Sequence, residues 1–205
     1  SMPGLTCILD IGTGSGILAL MLAQRHKYAL VEAVELEPDA ARQASENVAA
    51  SPFSARISVH EVAVQAWDGS DVDLVVCNPP FFHNHPKSPE RKRNLARHDD
   101  SLPLRVLFSE ASRVTHESGV FQFVFPTDRA EEVRAKASQE GWLLSQRISL
   151  AWSSSHEPIR DLWTWVKHVD SEHSSTEEVR LMQDAQKGTW APWLKHRLSA
   201  FLKEV

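Results

Sequence analysis

The stretch Leu9-Asp10-Ile11-Gly12-Thr13-Gly14-Ser15-Gly16 decides the fold class of this chain. It follows the apolar pair Cys7 and Ile8 and runs directly into the apolar segment 17–23 (ILALMLA), so its glycines occupy a predicted turn between a strand and a helix. Glycine in such a turn permits positive φ and lets a ligand approach the backbone closely. The spacing alone does not identify the ligand, because dinucleotide-binding folds use similar glycine turns.

A carboxylate ends the next predicted strand. Residues 30–35 (LVEAVE) place Glu35 nineteen positions after Gly16. A carboxylate at this point is suited to bidentate hydrogen bonding with a ribose diol. The alternative is a solvated charge at the end of a strand.

A third feature follows the apolar run 72–77 (VDLVVC), which ends in Asn78-Pro79-Pro80-Phe81. An amide side chain, a proline carbonyl with no competing N–H and an aromatic ring can together hold a planar amino group and stack on its ring. Methylation of an amine conjugated to a base or an amide needs these contacts. A proline-rich turn is the alternative. The order of glycine turn, acidic strand end and tetrapeptide along one chain favours the functional interpretation.

These segments resemble the S-adenosylmethionine-dependent methyltransferases of the Rossmann-like class that carry an Asn-Pro-Pro-aromatic signature. Within that class the chain most resembles the bacterial valine-tRNA adenine-N6 methyltransferases. The resemblance rests on residues 9–25, 33–60 and 75–82 and continues more thinly through 91–107 and around Leu150 and Trp163. It implies transfer of a methyl group from S-adenosylmethionine, leaving S-adenosylhomocysteine, to an adenine N6 amine in tRNA beside the anticodon, with no metal.

The resemblance also implies roles for individual residues. The expected cofactor-binding residues are Asp10, Gly12, Thr13, Gly14 and Gly16 for the methionine end, Glu35 for the ribose, Leu36 for the adenine, and Val62, Ala63 and Asn78. The expected catalytic residues are Asn78, Pro79, Pro80 and Phe81. Family members commonly carry an acid at the position of Ala63 to meet the adenine amine. Backbone groups of Val62 and Ala63, or the side chain of Glu61, are expected to replace it here.

Alternating apolar patterns predict an α/β Rossmann-like methyltransferase fold. We expect a mainly parallel seven-stranded sheet with an antiparallel edge hairpin and helices on both faces. The predicted strands lie near 7–11, 30–35, 57–60, 72–78, 120–125, 142–150 and 162–168, and the predicted helices near 16–25, 38–49, 104–114, 128–139 and 192–203. The polar stretch 171–178 is predicted to be a connection.

Length and composition predict one enzyme-sized domain. At 205 residues and 42% hydrophobic, residues 1–205 are expected to form a single domain. Because family members usually carry a segment before the glycine turn, we expect this one to be trimmed at its N-terminus. No stretch approaches the ~20 apolar residues that span a bilayer, and no secretory signal is visible. These features predict a cytoplasmic protein without a membrane partner, and they leave the oligomeric state open.

A basic segment between residues 83 and 103 predicts contact with RNA. The formal net charge of the chain is −5, yet this segment concentrates positive charge in Lys87, Arg91, Lys92, Arg93 and Arg97. Phosphate contacts from such a segment would place tRNA beside Asn78. The alternative is a solvated loop that only shields the site. His83 and His85 lack a third metal ligand nearby in the sequence.

Two further functions fit the same motifs. One is a protein-glutamine N5-methyltransferase, which would hold a side-chain amide, and the other is an inactive cofactor-binding scaffold. The basic segment favours RNA over a protein substrate. Several of the seven tryptophans, namely Trp152, Trp163, Trp165, Trp190 and Trp193, offer stacking surfaces for bases. Packing on strands and helices is the simpler explanation for them.

Overall fold

One mixed sheet organises the protein. The computed structural model describes residues 4–79, 102–167, 174–183 and 189–198, and within them eight strands follow the order β3-β2-β1-β4-β5-β7-β6-β8. The strands are β1 (Cys7–Ile11), β2 (Leu30–Glu35), β3 (Ile57–Glu61), β4 (Val72–Cys77), β5 (Thr115–Pro126), β6 (Leu143–Ala151), β7 (Arg160–Val166) and β8 (Thr176–Leu181). Strands β1 to β5 are parallel, β7 is antiparallel to both β5 and β6, and β8 is parallel to β6. The predicted fold class is confirmed.

Helices cover both faces of the sheet. They are α1 (Ile17–Arg25), α2 (Pro38–Ala49), α3 (Leu104–Val114), α4 (Ala130–Gln139) and α5 (Pro192–Leu198). Side chains of a strand alternate between faces, so Leu9 joins a core with Phe108 of α3, whereas Ile8 joins a second core with Ala19 of α1. Among the described residues, no helix has the length and apolar character needed to cross a membrane.

The prediction of seven strands is wrong by one. Residues 176–181 (TEEVRL), expected in part as a polar connection, form β8 and pair with β6. The hairpin of β6 and β7 therefore lies between β5 and β8. The strand was not predicted because it is the last of the sheet and none of its residues is fully buried, so it lacks the alternating apolar residues of a half-buried strand.

Asp73 ties together the amino ends of three central strands. Its Oδ2 accepts the N–H groups of Thr6 (2.6 Å) and Cys7 (2.9 Å) and the Thr6 hydroxyl (2.8 Å), and its Oδ1 lies 2.9 Å from Nε2 of His116 on β5. Partial burial acts to raise the pKa of Asp73, but these hydrogen bonds outweigh it and hold the pKa below its usual value. This clamp anchors β1 from the edge opposite the glycine turn.

Six of the seven tryptophans fall into two groups, and the seventh, Trp193, is half-buried and donates its Nε1–H to the carbonyl oxygen of Leu181. Trp163 and Trp165 stack on each other in the core, with ring centroids 5.4 Å apart, and Trp67 and Trp142 are also buried. The packing interpretation is therefore confirmed for Trp163 and Trp165. Trp152 and Trp190 differ, because 43% and 48% of their surfaces are exposed.

Candidate cofactor and substrate site

Four parallel strands end side by side at one edge of the sheet. Ile11 pairs with both Val34 and Cys77, and Glu35 pairs with Glu61, so β1, β2, β3 and β4 stop at nearly the same level. Two of the predicted site residues, Asp10 and Glu35, lie at the ends of β1 and β2. The segments that leave this edge carry the other described ones, namely Gly12, Thr13, Gly14, Gly16, Leu36, Val62, Ala63, Asn78 and Pro79. In doubly wound folds this edge is where ligands bind.

The glycine turn leaves open space above its backbone. The N–H groups of Gly12 and Thr13 both donate to the carbonyl oxygen of Val34, at 2.9 and 3.1 Å, which fixes the turn against the end of β2. Gly12 and Gly14 have φ of +69° and +58°, and a Cβ at either position would meet no atom within 4 Å. A ligand can therefore approach the backbone of this turn closely.

Gly16 lets α2 pack closely against the start of α1. Its φ is +81°, and a Cβ there would lie 3.2 Å from the Cβ of Ala44 on α2. One helical turn further along α2, Nδ2 of Asn47 donates to the carbonyl oxygen of Ser15 at 2.9 Å. Sequence analysis missed Ala44 and Asn47 as supports of the turn. Their i, i+3 spacing predicts a shared helix face, but the sequence does not reveal that this face meets the turn.

Glu35 joins the glycine turn to the start of α2. Its Oε2 accepts the N–H of Gly14 at 2.8 Å, and its Oε1 accepts the N–H of Glu37 at 3.0 Å. A carboxylate has about four acceptor positions, so capacity for a diol remains after these two bonds. The next residue, Leu36, is 56% exposed and presents an apolar side chain at the same edge.

Asp10 lies beneath the turn and is only 1% exposed. The Thr13 hydroxyl donates to its Oδ2 at 2.6 Å. Burial raises the pKa of Asp10 to about 6, and the nearby charge of Glu35 adds to the rise, while hydrogen bonds from Thr13 and the N–H of Ala19 oppose it. These contacts connect Asp10 to both the turn and the first turn of α1.

Some of the backbone groups that follow β3 already form hydrogen bonds within the protein. The Val62 N–H lies 2.9 Å from the carbonyl oxygen of Glu35, to which it donates, and the Ala63 carbonyl accepts the N–H of Ala66 at 2.9 Å. A carbonyl oxygen has a second lone pair, so Ala63 retains an acceptor for an amine. Glu61 is exposed and pairs in register with Glu35.

Asn78 follows β4 directly at the same edge. Residues 74–77 are buried between β1 and β5, whereas Asn78 is exposed and Pro79 is half-buried. Other predicted residues lie outside the described part of the chain: Pro80, Phe81, Lys87, Arg91, Lys92, Arg93 and Arg97. Within the described residues, no group of three or more histidine, cysteine or acidic side chains is arranged to hold a metal.

Comparison with known proteins identifies the family. The profile of the methyltransferase small domain matches residues 4–126. A protein of Dyadobacter fermentans named tRNA1(Val) (adenine(37)-N6)-methyltransferase is 34% identical over 95% of this chain and 81% of its own length. The chain belongs to the methyltransferase small domain family.

Other members extend this comparison. Proteins with the same name from Porphyromonas gingivalis and Tolumonas auensis are 40% and 41% identical to this methyltransferase domain, over 77% and 74% of the chain. The chain spans 64% of the length of each of these two relatives. Among solved structures, a "predicted O-methyltransferase" of Agrobacterium tumefaciens superposes with a TM-score of 0.73 at 18% identity, covering 97% of this chain and 91% of its own. That likeness confirms the fold of the methyltransferase domain.

Proposed function

We propose that this chain is a single catalytic domain that transfers a methyl group from S-adenosylmethionine to the N6 amine of an adenine in tRNA, next to the anticodon. The observation that carries the proposal is the position of Asn78, which leaves the central strand β4 at the edge that also holds the glycine turn and Glu35. The relatives named as tRNA1(Val) (adenine(37)-N6)-methyltransferases support the choice of substrate.

The residues at this edge fit S-adenosylmethionine. The open backbone of Gly12 and Gly14 suits the methionine end, Glu35 has acceptor capacity for a ribose diol, and exposed Leu36 suits the face of an adenine. The Ala63 carbonyl and Glu61 are the acceptors for its amine. When bound, the cofactor supplies an electrophilic methyl group on a positively charged sulfur. Asp10, buried under the turn, acts as a positioning residue through Thr13.

The substrate amine is held by Asn78 and Pro79. The lone pair of an adenine amine is delocalised into the ring, which makes the nitrogen a poor nucleophile. Acceptance of its two N–H bonds by Oδ1 of Asn78 and the carbonyl oxygen of Pro79 favours a more pyramidal nitrogen and frees that lone pair. Phe81 stacks on the base, which must be unstacked from the RNA to reach the site. Positioning and electrostatics are what these groups contribute to the rate.

The basic segment provides the RNA contact. Lys87, Arg91, Lys92, Arg93 and Arg97 follow the Asn-Pro-Pro-Phe segment closely in the chain, so phosphate contacts from them would hold tRNA near Asn78. This positive charge in a chain of net charge −5 favours RNA over a protein substrate. A protein-glutamine N5-methyltransferase would use the same amide contacts without this segment.

Single-turnover methylation of unmodified tRNA, with nucleoside analysis of the product, tests the proposal. Asn78→Ala is expected to lower the methyl-transfer rate about 10²–10³-fold while leaving S-adenosylhomocysteine affinity nearly unchanged, because its contacts strengthen as the nitrogen becomes pyramidal. Asn47→Ala is the matched control, since Asn47 supports the turn and is expected to affect cofactor affinity instead. Methylated glutamine in a protein, with no N6-methyladenosine in tRNA, would refute the proposal.

A further inference from the structure

Two exposed tryptophans form a pair that the proposed site does not use. The indole rings of Trp152 and Trp190 contact each other edge to face, with centroids 5.8 Å apart and planes at 73°. Nearly half of each side chain is exposed. Tryptophan is enriched among the residues that contribute most to binding, so an exposed pair of indole rings is a candidate contact site.

Backbone hydrogen bonds hold this pair in place. Gln183 lies between the two tryptophans, because its N–H donates to the carbonyl oxygen of Trp152 at 2.9 Å and it forms an antiparallel bridge with Trp190. The neighbouring N–H of Met182 donates to Ala151 at 2.8 Å, and Ala191 donates to Met182 at 2.8 Å. Both rings are thus attached to a short extension of the sheet, which lowers the entropy lost when a ligand stacks on them.

The pair lies at the same edge of the sheet as Asn78. Because β4 is parallel to β5, and β5 and β6 are both antiparallel to β7, β6 is parallel to β4. It ends at Ala151, so Trp152 leaves the sheet at the carboxyl edge. Three strand positions separate β4 from β6 in the sheet order. At about 4.8 Å per strand the lateral distance is roughly 14 Å. Arg147 is level with Cys77 through Phe123 and Trp163, so Trp152 also lies roughly 13 Å further along the strand direction than Asn78. A few unpaired nucleotides can span the resulting separation of roughly 20 Å.

The surroundings favour a base over a phosphate as the ligand. The turn at residues 152–159 (WSSSHEPI) carries the exposed acid Glu157 and contains no lysine or arginine. Arg180 of β8 is already placed over the ring of Trp193 and paired with Glu178. An uncharged aromatic ring stacks on an indole without needing a local excess of cations, and stacking on aromatic side chains is a common means of holding unpaired RNA bases.

We infer that Trp152 and Trp190 form a stacking platform for an unpaired nucleotide of the tRNA, separate from the adenine that is methylated. This inference rests on the proposed function, because it takes tRNA as the substrate. The platform holds a second base of the same loop while Asn78 holds the target amine, so it contributes to tRNA affinity and not to the chemical step.

Equilibrium binding of unmodified tRNA tests the platform. The Trp152→Ala, Trp190→Ala double variant is expected to raise the Kd for tRNA about 5- to 150-fold, which corresponds to ~1–3 kcal/mol for one stacked base. The Trp152→Phe, Trp190→Phe double variant should retain most of the affinity, because phenylalanine also stacks. Tyr28→Ala is the matched control, since Tyr28 is 93% exposed and lies between α1 and β2 at the opposite edge. Affinity for S-adenosylhomocysteine should not change in any variant.

The outcomes separate this inference from the proposed function. If the parent methylates tRNA and the alanine double variant has the same Kd and KM for tRNA as the parent, the platform is refuted and the proposed function stands. If the parent binds tRNA without methylating adenine, the proposed reaction is refuted, and a raised Kd in the double variant still supports the platform. If light scattering shows a changed oligomeric state in the alanine double variant while its Kd for tRNA is unchanged, the tryptophan pair mediates contacts between copies of the chain. That result overturns the inference. A parent chain that binds no tRNA overturns both.

Discussion

Replacement of Glu35 tests the cofactor site most directly. Its carboxylate accepts the N–H groups of Gly14 and Glu37 at 2.8 and 3.0 Å, and both bonds disappear in Glu35→Ala. Hydrogen bonds to a charged group contribute about 1.5–3 kcal/mol each when they are well protected from water. Glu35 is only half-buried, so we expect both bonds together to contribute about 1–3 kcal/mol to the free energy of unfolding.

Glu35→Ala is also expected to weaken cofactor binding, in addition to lowering the free energy of unfolding. Loss of bonds from a ribose diol to a carboxylate is expected to weaken S-adenosylhomocysteine binding by about 1–3 kcal/mol, or about 5- to 150-fold in Kd. Isothermal titration calorimetry with the cofactor and its demethylated product measures this directly, and urea unfolding measures stability in parallel.

Glu37 provides the matched control. It lies two positions away at the same junction, and its side chain caps α2 by accepting the N–H of Ala40 at 2.7 Å. Glu37→Ala should therefore lower stability by about 0.5–2 kcal/mol without weakening cofactor binding. Unchanged cofactor affinity in Glu35→Ala, or an equal loss in Glu37→Ala, would refute the assignment of Glu35 to the ribose.

Three further predictions concern the turn, its buried acid and the basic segment. Gly16→Ala should lower the free energy of unfolding by about 1–3 kcal/mol more than Gly141→Ala. Both glycines have positive φ, but only a Cβ at Gly16 meets Ala44. Equal losses in urea unfolding would contradict this. Because folding raises the pKa of Asp10 from 3.8 to about 6, the parent should lose stability relative to Asp10→Asn as pH rises from about 4 to 6, by roughly 3 kcal/mol. A pH-independent difference in unfolding free energy would show that Asp10 does not titrate this way. Salt titrations of tRNA binding should lose roughly one unit of slope per lost phosphate contact in the triple alanine variant of Arg91, Lys92 and Arg93. An identical slope would place the RNA elsewhere.

Sequence patterns predicted most elements because local and tertiary preferences agree in them. The bounds of α2 and α3 match the predicted ranges 38–49 and 104–114, and each helix begins at or directly after a proline. Strands β1, β2 and β4 carry buried apolar runs and were also predicted. Strand β8 was not, because an exposed strand at the end of a sheet needs few apolar residues.

The sequence predicts site residues where the chemistry of the site restricts the residue type. It does not predict residues whose role depends on how two elements pack together. Glycines with positive φ and a carboxylate at a strand end leave a recognisable pattern. The contacts of Ala44 and Asn47 depend on how α2 lies against the turn, which no local pattern encodes. The burial of Asp10 is likewise a tertiary property, since a strand-end acid in the sequence gives no sign of whether its side chain faces solvent or α1.

The central place of β4 has a consequence for hydrogen exchange. This strand has parallel partners on both sides, and five of its six residues, Val72 and residues 74–77, are buried. We expect amides in such a strand to exchange mainly through opening of the whole domain, and those of β8 to exchange through local opening. Asn78 therefore directly follows a strand that we expect to exchange slowly. A substitution that lowers global stability should reduce the fraction of folded molecules before it loosens the hold of Asn78 on a substrate in those that remain folded.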